Sequence, residues 1–288
     1  MTDLVVVGLA YLEVHVPAQV RPVAGEEVFV QGMQLTLGGA LNTASVAAAL
    51  GLTVTLCLPM GNGLADQAVT LLAQRLGITL IPLAAPDNPA ISLVFSDAHD
   101  RAFVSTAALD VLTSLKRLPP STWVHVPGLE EAARLQDPLT QAQRDGAKIS
   151  VSASWSAQQL RQLSVRQGSP WDVLVLNEKE AQAACGLAHS APQCLAHAAH
   201  SVLVTRGAQG VMGQLNGWPV DVGAAPTPVV DTTGAGDAFC AGLIAALTRG
   251  LTGDAAVRMG TRVAAKILAQ TGGVVTRPDL FADLGMET

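Results

Sequence analysis

Short apolar runs that alternate with helical patterns are the feature of this sequence that most restricts its fold. Strands buried on both faces of a parallel sheet appear as nearly continuous apolar runs, whereas strands with one wet face alternate. Runs of the first kind occupy residues 4–7, 54–58, 123–126, 148–151, 173–176 and 201–205. Amphipathic or small-residue helical patterns cover residues 41–50, 64–75, 238–248 and 254–268. We therefore predict an α/β fold with a mostly parallel central sheet and helices on its faces.

Two regions interrupt this alternation. Residues 13–37 contain prolines and glycines followed by a strand-like stretch over 27–37. Residues 90–96 and 101–106 resemble a hairpin with a polar turn over 97–100. These regions predict a small antiparallel sheet outside the main one, which would be either a lid over a cleft or an extension of the sheet edge.

Length and composition limit the class of protein. The 288 residues allow one large domain or two modest ones, and we see neither an internal repeat nor an interdomain linker. A net charge of −6 without any basic run argues against nucleic acid or an anionic membrane as the main partner. The sequence has no signal-peptide pattern and no apolar run of membrane-spanning length, so we expect a cytoplasmic protein. The four cysteines lack Cys-x-x-Cys spacing, which indicates reduced structural thiols.

The stretch Asp-Thr-Thr-Gly-Ala-Gly-Asp over residues 231–237 carries the strongest chemical signal. It joins an extended segment to a helix, where free N–H groups and the helix dipole attract anions. Gly234, Ala235 and Gly236 would let a phosphate approach these groups, and Asp237 would accept a proton from an attacking hydroxyl. Alternatively, Thr232 or a neighbouring threonine caps the helix and Asp237 only complements its dipole.

Two further segments place polar residues where strands give way to helices. Gly38 and Gly39 precede a helix, and Asn42 offers an amide to ligand hydroxyls, although a plain strand-to-helix turn explains them equally well. Asn177 and Glu180 follow the strand over 173–176, three residues apart on one face of a helix. They are a candidate Mg²⁺ site or, alternatively, a capping box.

A fourth segment contains Thr205, Gly207 and Gly210 after another strand, where a base or phosphates could lie against the backbone. By itself it is only a weak turn signal.

In this order, the four segments resemble those of the PfkB or ribokinase-like carbohydrate kinases over essentially the whole chain. The resemblance implies a three-layer α/β/α sandwich, a single kinase domain over 1–288 and a small β lid from about 12–37 and 90–106. It implies that Gly38, Gly39 and Asn42 hold a sugar and that Asn177 and Glu180 handle Mg²⁺. The remaining implied roles are nucleotide binding by Thr205, Gly207, Gly210 and Thr232, an anion hole at Gly234, Ala235 and Gly236, and a catalytic base at Asp237.

Departures from the family pattern fall on the sugar side. Glu13 stands where relatives commonly have a sugar-binding Asp, which lengthens the arm by about 1.5 Å. The stretch over 151–154 lacks the Asp-x-Asn of many relatives. Arg101 is the candidate for a lid arginine. These departures imply either a substrate of different shape or a lost role.

The resulting prediction is an ATP-dependent kinase that phosphorylates a hydroxyl of a small sugar-like substrate. The alternatives are a nucleoside kinase of the same fold and a non-catalytic sugar- or nucleotide-binding relative. A nucleoside kinase would need a stacking platform in the lid, and the aromatic residues near it form a sparse one: Tyr11, Phe29, Phe95 and Phe103. By resemblance alone, we also expect a homodimer through the lid and a monovalent cation such as K⁺ near Asp231 and Thr233. A dinucleotide-binding Gly-x-Gly-x-x-Gly and a Walker motif are both absent.

Overall fold

The computed structural model describes residues 2–17, 22–96 and 101–284, with only the main chain at residues 17, 96 and 101. Its strands, in chain order, are β1 (Thr2–Val7), β2 (Ala10–Pro17), β3 (Gln34–Gly39), β4 (Val54–Met60), β5 (Thr79–Ala84), β6 (Ala90–Ser96), β7 (Arg101–Ala107), β8 (Ser121–Val126), β9 (Lys148–Ser152), β10 (Trp171–Asn177), β11 (Ala199–Thr205), β12 (Val211–Leu215) and β13 (Trp218–Val222). Its α-helices are α1 (Ala40–Ala49), α2 (Leu64–Leu76), α3 (Leu129–Arg134), α4 (Gln136–Arg144), α5 (Ala157–Leu163), α6 (Glu178–Cys185), α7 (Ala191–Cys194), α8 (Ala235–Thr248) and α9 (Gly253–Leu268).

The main sheet has the strand order β13-β12-β11-β10-β9-β8-β1-β4-β5. The seven strands from β11 to β5 are parallel, and β12 and β13 add an antiparallel edge. The sequence therefore predicted the parallel sheet correctly and missed the hairpin at its edge. That hairpin turns at Asn216-Gly217, both with positive φ, which is the two-residue turn favoured between antiparallel strands.

Side chains of β1 show how the sheet divides the interior. Leu4 and Val6 belong to the hydrophobic core that contains α1, α8 and α9. Val5 and Val7 belong to the core on the opposite face, with residues of α3 to α7. Because successive side chains of a strand point to opposite faces, a run of consecutive valines and leucines fills both cores. The molecule is thus the three-layer α/β/α sandwich that the sequence predicted.

Small residues bring α8 and α9 close together. A Cβ at Gly260 would lie 2.7 Å from the ring of Phe239, and a Cβ at Gly242 would lie 2.9 Å from the side chain of Val263. Such contacts require glycine at both positions. This close packing supports α8, whose first turn is part of the site described below.

A second, four-stranded sheet has the order β3-β2-β6-β7 and lies outside the main one. The β2–β3 and β6–β7 pairs are antiparallel, whereas the central β2–β6 pair is parallel. The strand-like stretch predicted for 27–37 is shorter than expected, because β3 begins at Gln34, where its pairing with His15 of β2 starts. The predicted turn over 97–100 lies outside the described residues.

Candidate active site

A cleft of about 910 Å³ lies at the carboxyl ends of the parallel strands, beneath the four-stranded sheet. Ligands of open α/β sheets bind at this edge because the loops after the strands meet there. The cleft is lined by Glu13, Gly39, Asn42, Asn177, Thr232, Gly234 and Asp237 among the residues singled out from the sequence. A smaller adjoining cavity of about 190 Å³ is lined by Asn177, Glu180, Thr205 and residues 234–237. Sequence segments far apart in the chain therefore meet at one place.

The amino-terminal end of α8 opens into both cavities. Its N-cap is Gly234, which has a φ of 73° and no side-chain capping bond. A Cβ at Gly234 would lie 2.4 Å from the Cα of Gly273, so this position requires glycine, whereas a Cβ at Gly236 would meet nothing within 4 Å. The first-turn N–H groups have no acceptor within the helix. An anion can therefore approach Gly236 closely, and the alternative in which a threonine caps α8 is wrong.

Asp237 is held in the first turn of α8 by Asn42. The Nδ2 of Asn42 donates a hydrogen bond of 2.8 Å to the Oδ2 of Asp237. Burial raises the pKa of Asp237 to about 7, the bond from Asn42 opposes this, and the negative charges of Glu13, Glu131 and Glu180 add to it. A carboxylate with a pKa near neutrality is suited to accept a proton from a hydroxyl.

One polar atom of the Asn42 side chain makes no hydrogen bond within the described structure. Its side chain is 4% exposed, and its Oδ1 has no hydrogen-bond partner in the described structure. An unpaired buried acceptor of this kind costs free energy. The amide thus holds Asp237 with one end and leaves the other unpaired beside the cleft.

Asn177 and Glu180 form the capping box at the start of α6. The backbone N–H of Asn177 donates to Oε2 of Glu180 over 2.8 Å, and the N–H of Glu180 donates to Oδ1 of Asn177 over 2.9 Å. The capping interpretation is therefore confirmed, and it does not exclude the magnesium one. Burial raises the pKa of Glu180, which lines the smaller cavity with one carboxylate oxygen outside these bonds.

The surroundings of Glu180 fit Mg²⁺ bound mainly by phosphate oxygens and water. Across the described ranges, no group of three or more His, Cys, Asp or Glu residues is arranged to hold a metal ion. Mg²⁺ commonly uses one or two carboxylates and completes its shell with water and substrate phosphates. A single buried carboxylate facing the amides of α8 meets that requirement.

Glu13 lines the cleft from β2 of the four-stranded sheet. Its Oε2 accepts a bond of 3.2 Å from the hydroxyl of Thr36 and lies 3.5 Å from Nε2 of His15. A Cβ at Gly38 would lie 2.1 Å from Oε1 of Glu13. Gly38 is therefore glycine because the carboxylate of Glu13 occupies the space beside it. Gly39, with a φ of 67°, similarly makes room for the ring of Tyr11.

Four predicted residues have different outcomes. Arg101 begins β7, but its side chain lies outside the described part of the chain. Thr205 ends β11 and lines the smaller cavity, and its nucleotide-binding role stays a prediction. Gly207 and Gly210 form the turn after β11 and line neither cavity. A Cβ at Gly210 would lie 2.0 Å from the carbonyl oxygen of Val222, so its glycine is explained by the contact with the end of β13.

Several cleft residues were missed in the sequence, including Ser92, Glu131, Ser154, Trp155 and Lys179. They come from a strand, two helices and the loop after β9, without a repeated spacing. Glu131, in the first turn of the short helix α3, would have been found by searching every strand end for carboxylates. The Ser92 and Trp155 positions depend on tertiary structure and have no local signal.

Asp231 joins the loop before α8 to a second loop. Its Oδ1 accepts bonds from the N–H and hydroxyl of Thr233 at 2.8 and 2.7 Å, and its Oδ2 accepts one of 2.9 Å from the N–H of Gly272. A Cβ at Gly272 would lie 3.4 Å from the side chain of Thr36 in β3. The turn before α8 and the four-stranded sheet are thus in contact through residue 272. The monovalent cation expected near Asp231 and Thr233 stays a prediction.

Comparisons with known proteins identify the family of this chain. Residues 1–280 match the pfkB family carbohydrate kinase, and the chain belongs to that family. An uncharacterized sugar kinase of Escherichia coli is 28% identical, over 97% of this chain and 93% of the relative. The nucleoside kinase of Methanocaldococcus jannaschii has a TM-score of 0.80 at 18% identity, covering 100% of this chain and 99% of that one. The ribokinase of Arabidopsis thaliana, solved with ribose and ATP, has a TM-score of 0.72 at 19% identity, covering 99% and 98%.

The fold is thereby established as ribokinase-like, and the family as one of carbohydrate and nucleoside kinases. Within the described part of the chain, we find no helix long and apolar enough to cross a membrane.

Proposed function

We propose that the protein transfers the γ-phosphoryl group of ATP to a hydroxyl of a small sugar-like acceptor. The observation that carries this proposal is the position of Asp237. Its carboxylate faces the large cleft, its pKa is about 7, and the open amides of α8 begin within one helical turn of it. A base, an anion site and an acceptor cleft are the parts that phosphoryl transfer requires.

In this mechanism, the acceptor lies in the cleft beside Glu13 and Asn42, and the γ-phosphate lies against the N–H groups at Gly234 to Gly236. Asp237 orients the hydroxyl and takes its proton as the oxygen–phosphorus bond forms and ADP leaves. Because the transition state is loose, the proton can move late and the base need not be strong. Mg²⁺, held through Glu180 and Asn177, would offset the charge of the phosphates.

The four-stranded sheet is the proposed lid of a single kinase domain. It supplies Glu13 and Ser92 to the cleft, so its position relative to α8 determines whether the acceptor is shielded from water. Closure over both substrates would suppress transfer of the phosphoryl group to water.

A nucleoside acceptor is the second candidate. Three aromatic side chains line the cleft, at Tyr11, Phe103 and Trp155, and Phe103 and Trp155 are 54% and 62% exposed. Aromatic faces of this kind can stack on a nucleobase. The sequence had suggested only a sparse platform, because Trp155 was not recognised as a cleft residue.

A panel of pentoses, hexoses and nucleosides, assayed for ADP release with ATP and Mg²⁺, tests the proposal. We expect release that depends on an added sugar and is lost in Asp237→Asn. Release with nucleosides alone would favour the second candidate. No acceptor-dependent ADP release, together with acceptor binding, would instead indicate a non-catalytic binding protein and refute the proposal.

A further inference from the structure

Two glutamates of the cleft have carboxylates that lie directly against glycines. A Cβ at Gly38 would lie 2.1 Å from Oε1 of Glu13, and a Cβ at Gly128 would lie 2.1 Å from Oε2 of Glu131. Any other residue at 38 or 128 would displace the neighbouring carboxylate. Both glutamates line the same cleft although they come from different elements, strand β2 of the four-stranded sheet and helix α3. The chain thus has two similar glycine contacts, each holding a carboxylate toward the acceptor space.

Glu131 and its neighbour Glu130 differ in their hydrogen bonds and in the direction in which their pKa values are shifted. Glu130 accepts bonds of 2.7 Å from Ser156 and 2.9 Å from Arg134, and these hydrogen bonds lower its pKa. Burial raises the pKa of Glu131, and the charge of Glu130 adds to this effect. Glu130 is therefore explained by its bonds within the fold, whereas Glu131 is a carboxylate kept in the cleft against an electrostatic cost.

The hydrogen-bond acceptor atoms that line the cleft suit a ligand rich in hydroxyl groups. Carboxylate oxygens accept hydrogen bonds, and each hydroxyl can donate one. The buried Oδ1 of Asn42, unpaired in the described structure, is a further acceptor at the same place. Acceptor atoms from three elements, β2, α3 and α1, therefore lie around the same space, and the Oδ1 of Asn42 is the one that no donor satisfies within the described residues.

The charges of the cleft restrict the ligand further. Among the described side chains that line it, the ionisable acids are Glu13, Glu131 and Asp237, beside Tyr11, and the single cationic side chain is Lys179. An anionic group on the acceptor would share the cleft with these three carboxylic acids, and like charges repel one another.

We propose that Glu131 binds the acceptor together with Glu13, and that the acceptor is an uncharged polyhydroxyl compound rather than a sugar acid or sugar phosphate. This inference deepens the proposed function and rests on it. Glu131 determines specificity, and the phosphoryl transfer itself remains with Asp237.

The test compares Glu131→Gln with Glu130→Gln, a matched control one residue away. For the best neutral sugar, we expect the KM of Glu131→Gln to rise about ten- to a hundredfold, because a hydrogen bond to a charged group is lost. The KM for ATP and the kcat should change less than about threefold. The ratio of kcat/KM for the neutral sugar to kcat/KM for the aldonic acid of the same carbon skeleton should become smaller. Glu130→Gln should leave the acceptor KM unchanged even if it lowers the melting temperature.

A second variant tests whether the position of the Glu131 carboxylate matters for acceptor binding when its charge is kept. Gly128→Ala keeps Glu131 but places a Cβ where its carboxylate lies, and the φ of −160° at Gly128 accepts alanine. We expect the same rise in acceptor KM. An unchanged acceptor KM in both Glu131→Gln and Gly128→Ala would overturn the inference and leave the proposed kinase activity standing, as would a wild type that prefers the aldonic acid.

Binding gives a readout that does not depend on turnover. If the wild type releases no ADP with any acceptor, the proposed function fails, and thermal shifts with neutral polyols decide the inference. A rise in melting temperature that is present in the wild type and in Glu130→Gln but lost in Glu131→Gln would support it. A rise that is absent from the wild type, or equal in all three proteins, would overturn it.

Discussion

Replacing Asp237 with Asn should remove activity and stabilise the protein at the same time. At roughly 1.4 kcal/mol per pKa unit, a pKa raised from 3.8 to about 7 means that ionising Asp237 costs the folded protein up to about 4 kcal/mol at pH 8. The carboxylate is partly exposed in the cleft, and solvent screening reduces that cost. We therefore expect Asp237→Asn to be about 1–3 kcal/mol more stable than the wild type at pH 8.

The pH dependence of this gain has a definite sign. Between pH 3.8 and about 7, the folded state binds more protons at Asp237 than the unfolded state does. The wild type therefore loses stability as pH rises through this window, and Asp237→Asn does not. The difference in stability between the two should be smallest near pH 4, grow toward pH 7 and stay constant above it.

Denaturant unfolding at several pH values and a turnover assay measure both effects. Turnover should fall by about 10²–10⁴-fold, the usual contribution of a general base, while ATP affinity is nearly unchanged. Asp145→Asn is the control, because Asp145 is exposed and its hydrogen bond with Arg117 lowers its pKa. That control should gain no stability and keep full turnover. Near-normal turnover in Asp237→Asn, or a stability gain independent of pH, would refute the reasoning.

Three other substitutions test separate parts of the site and its support. Gly38→Ala places a Cβ 2.1 Å from Oε1 of Glu13, so we expect the acceptor KM to rise about tenfold with the ATP KM unchanged. An acceptor KM equal in the variant and the wild type would show that Glu13 has no binding role. Glu180→Gln can still cap α6, so the circular dichroism spectrum should be unchanged. The Mg²⁺ concentration for half-maximal rate should rise roughly tenfold, and an unaltered Mg²⁺ dependence would contradict the proposal that Glu180 helps to hold Mg²⁺. Gly260→Ala forces a Cβ to 2.7 Å from the ring of Phe239 and should cost about 1–3 kcal/mol in urea unfolding; no loss of stability would show that the two helices separate easily.

The elements that the sequence predicted best are those with a continuous local pattern. The strand run at 173–176 and the helix starting near residue 254 appear in the structure as β10 and α9. Strands without such a run were missed, as for β5, whose residues alternate between exposed and half-buried. The β2–β6 pair could not be predicted either, because a parallel pairing between distant residues leaves no trace in local spacing.

The candidate site divides in the same way. Asp237 and the glycines before it were recognised because the turn, the helix start and the acid are adjacent in sequence. Glu131 and Trp155 were not, because only the folded chain brings them to the cleft. Gly210 was assigned to nucleotide binding, yet its close approach to Val222 gives it a sufficient structural reason. From the sequence alone, a glycine beside a strand does not show whether it is required for ligand binding or for close packing of the backbone.

The contacts of Gly272 connect the two substrates of the proposed reaction. Thr36 donates to the acceptor-side Glu13 and lies against Gly272, and the N–H of Gly272 donates to Asp231 beside the phosphate turn. A displacement of Thr36 in β3 would therefore meet Gly272, whose N–H is bonded to the aspartate just before α8. In the proposed reaction, this chain of contacts would be a route by which an occupied acceptor space and the loop that receives the nucleotide influence each other.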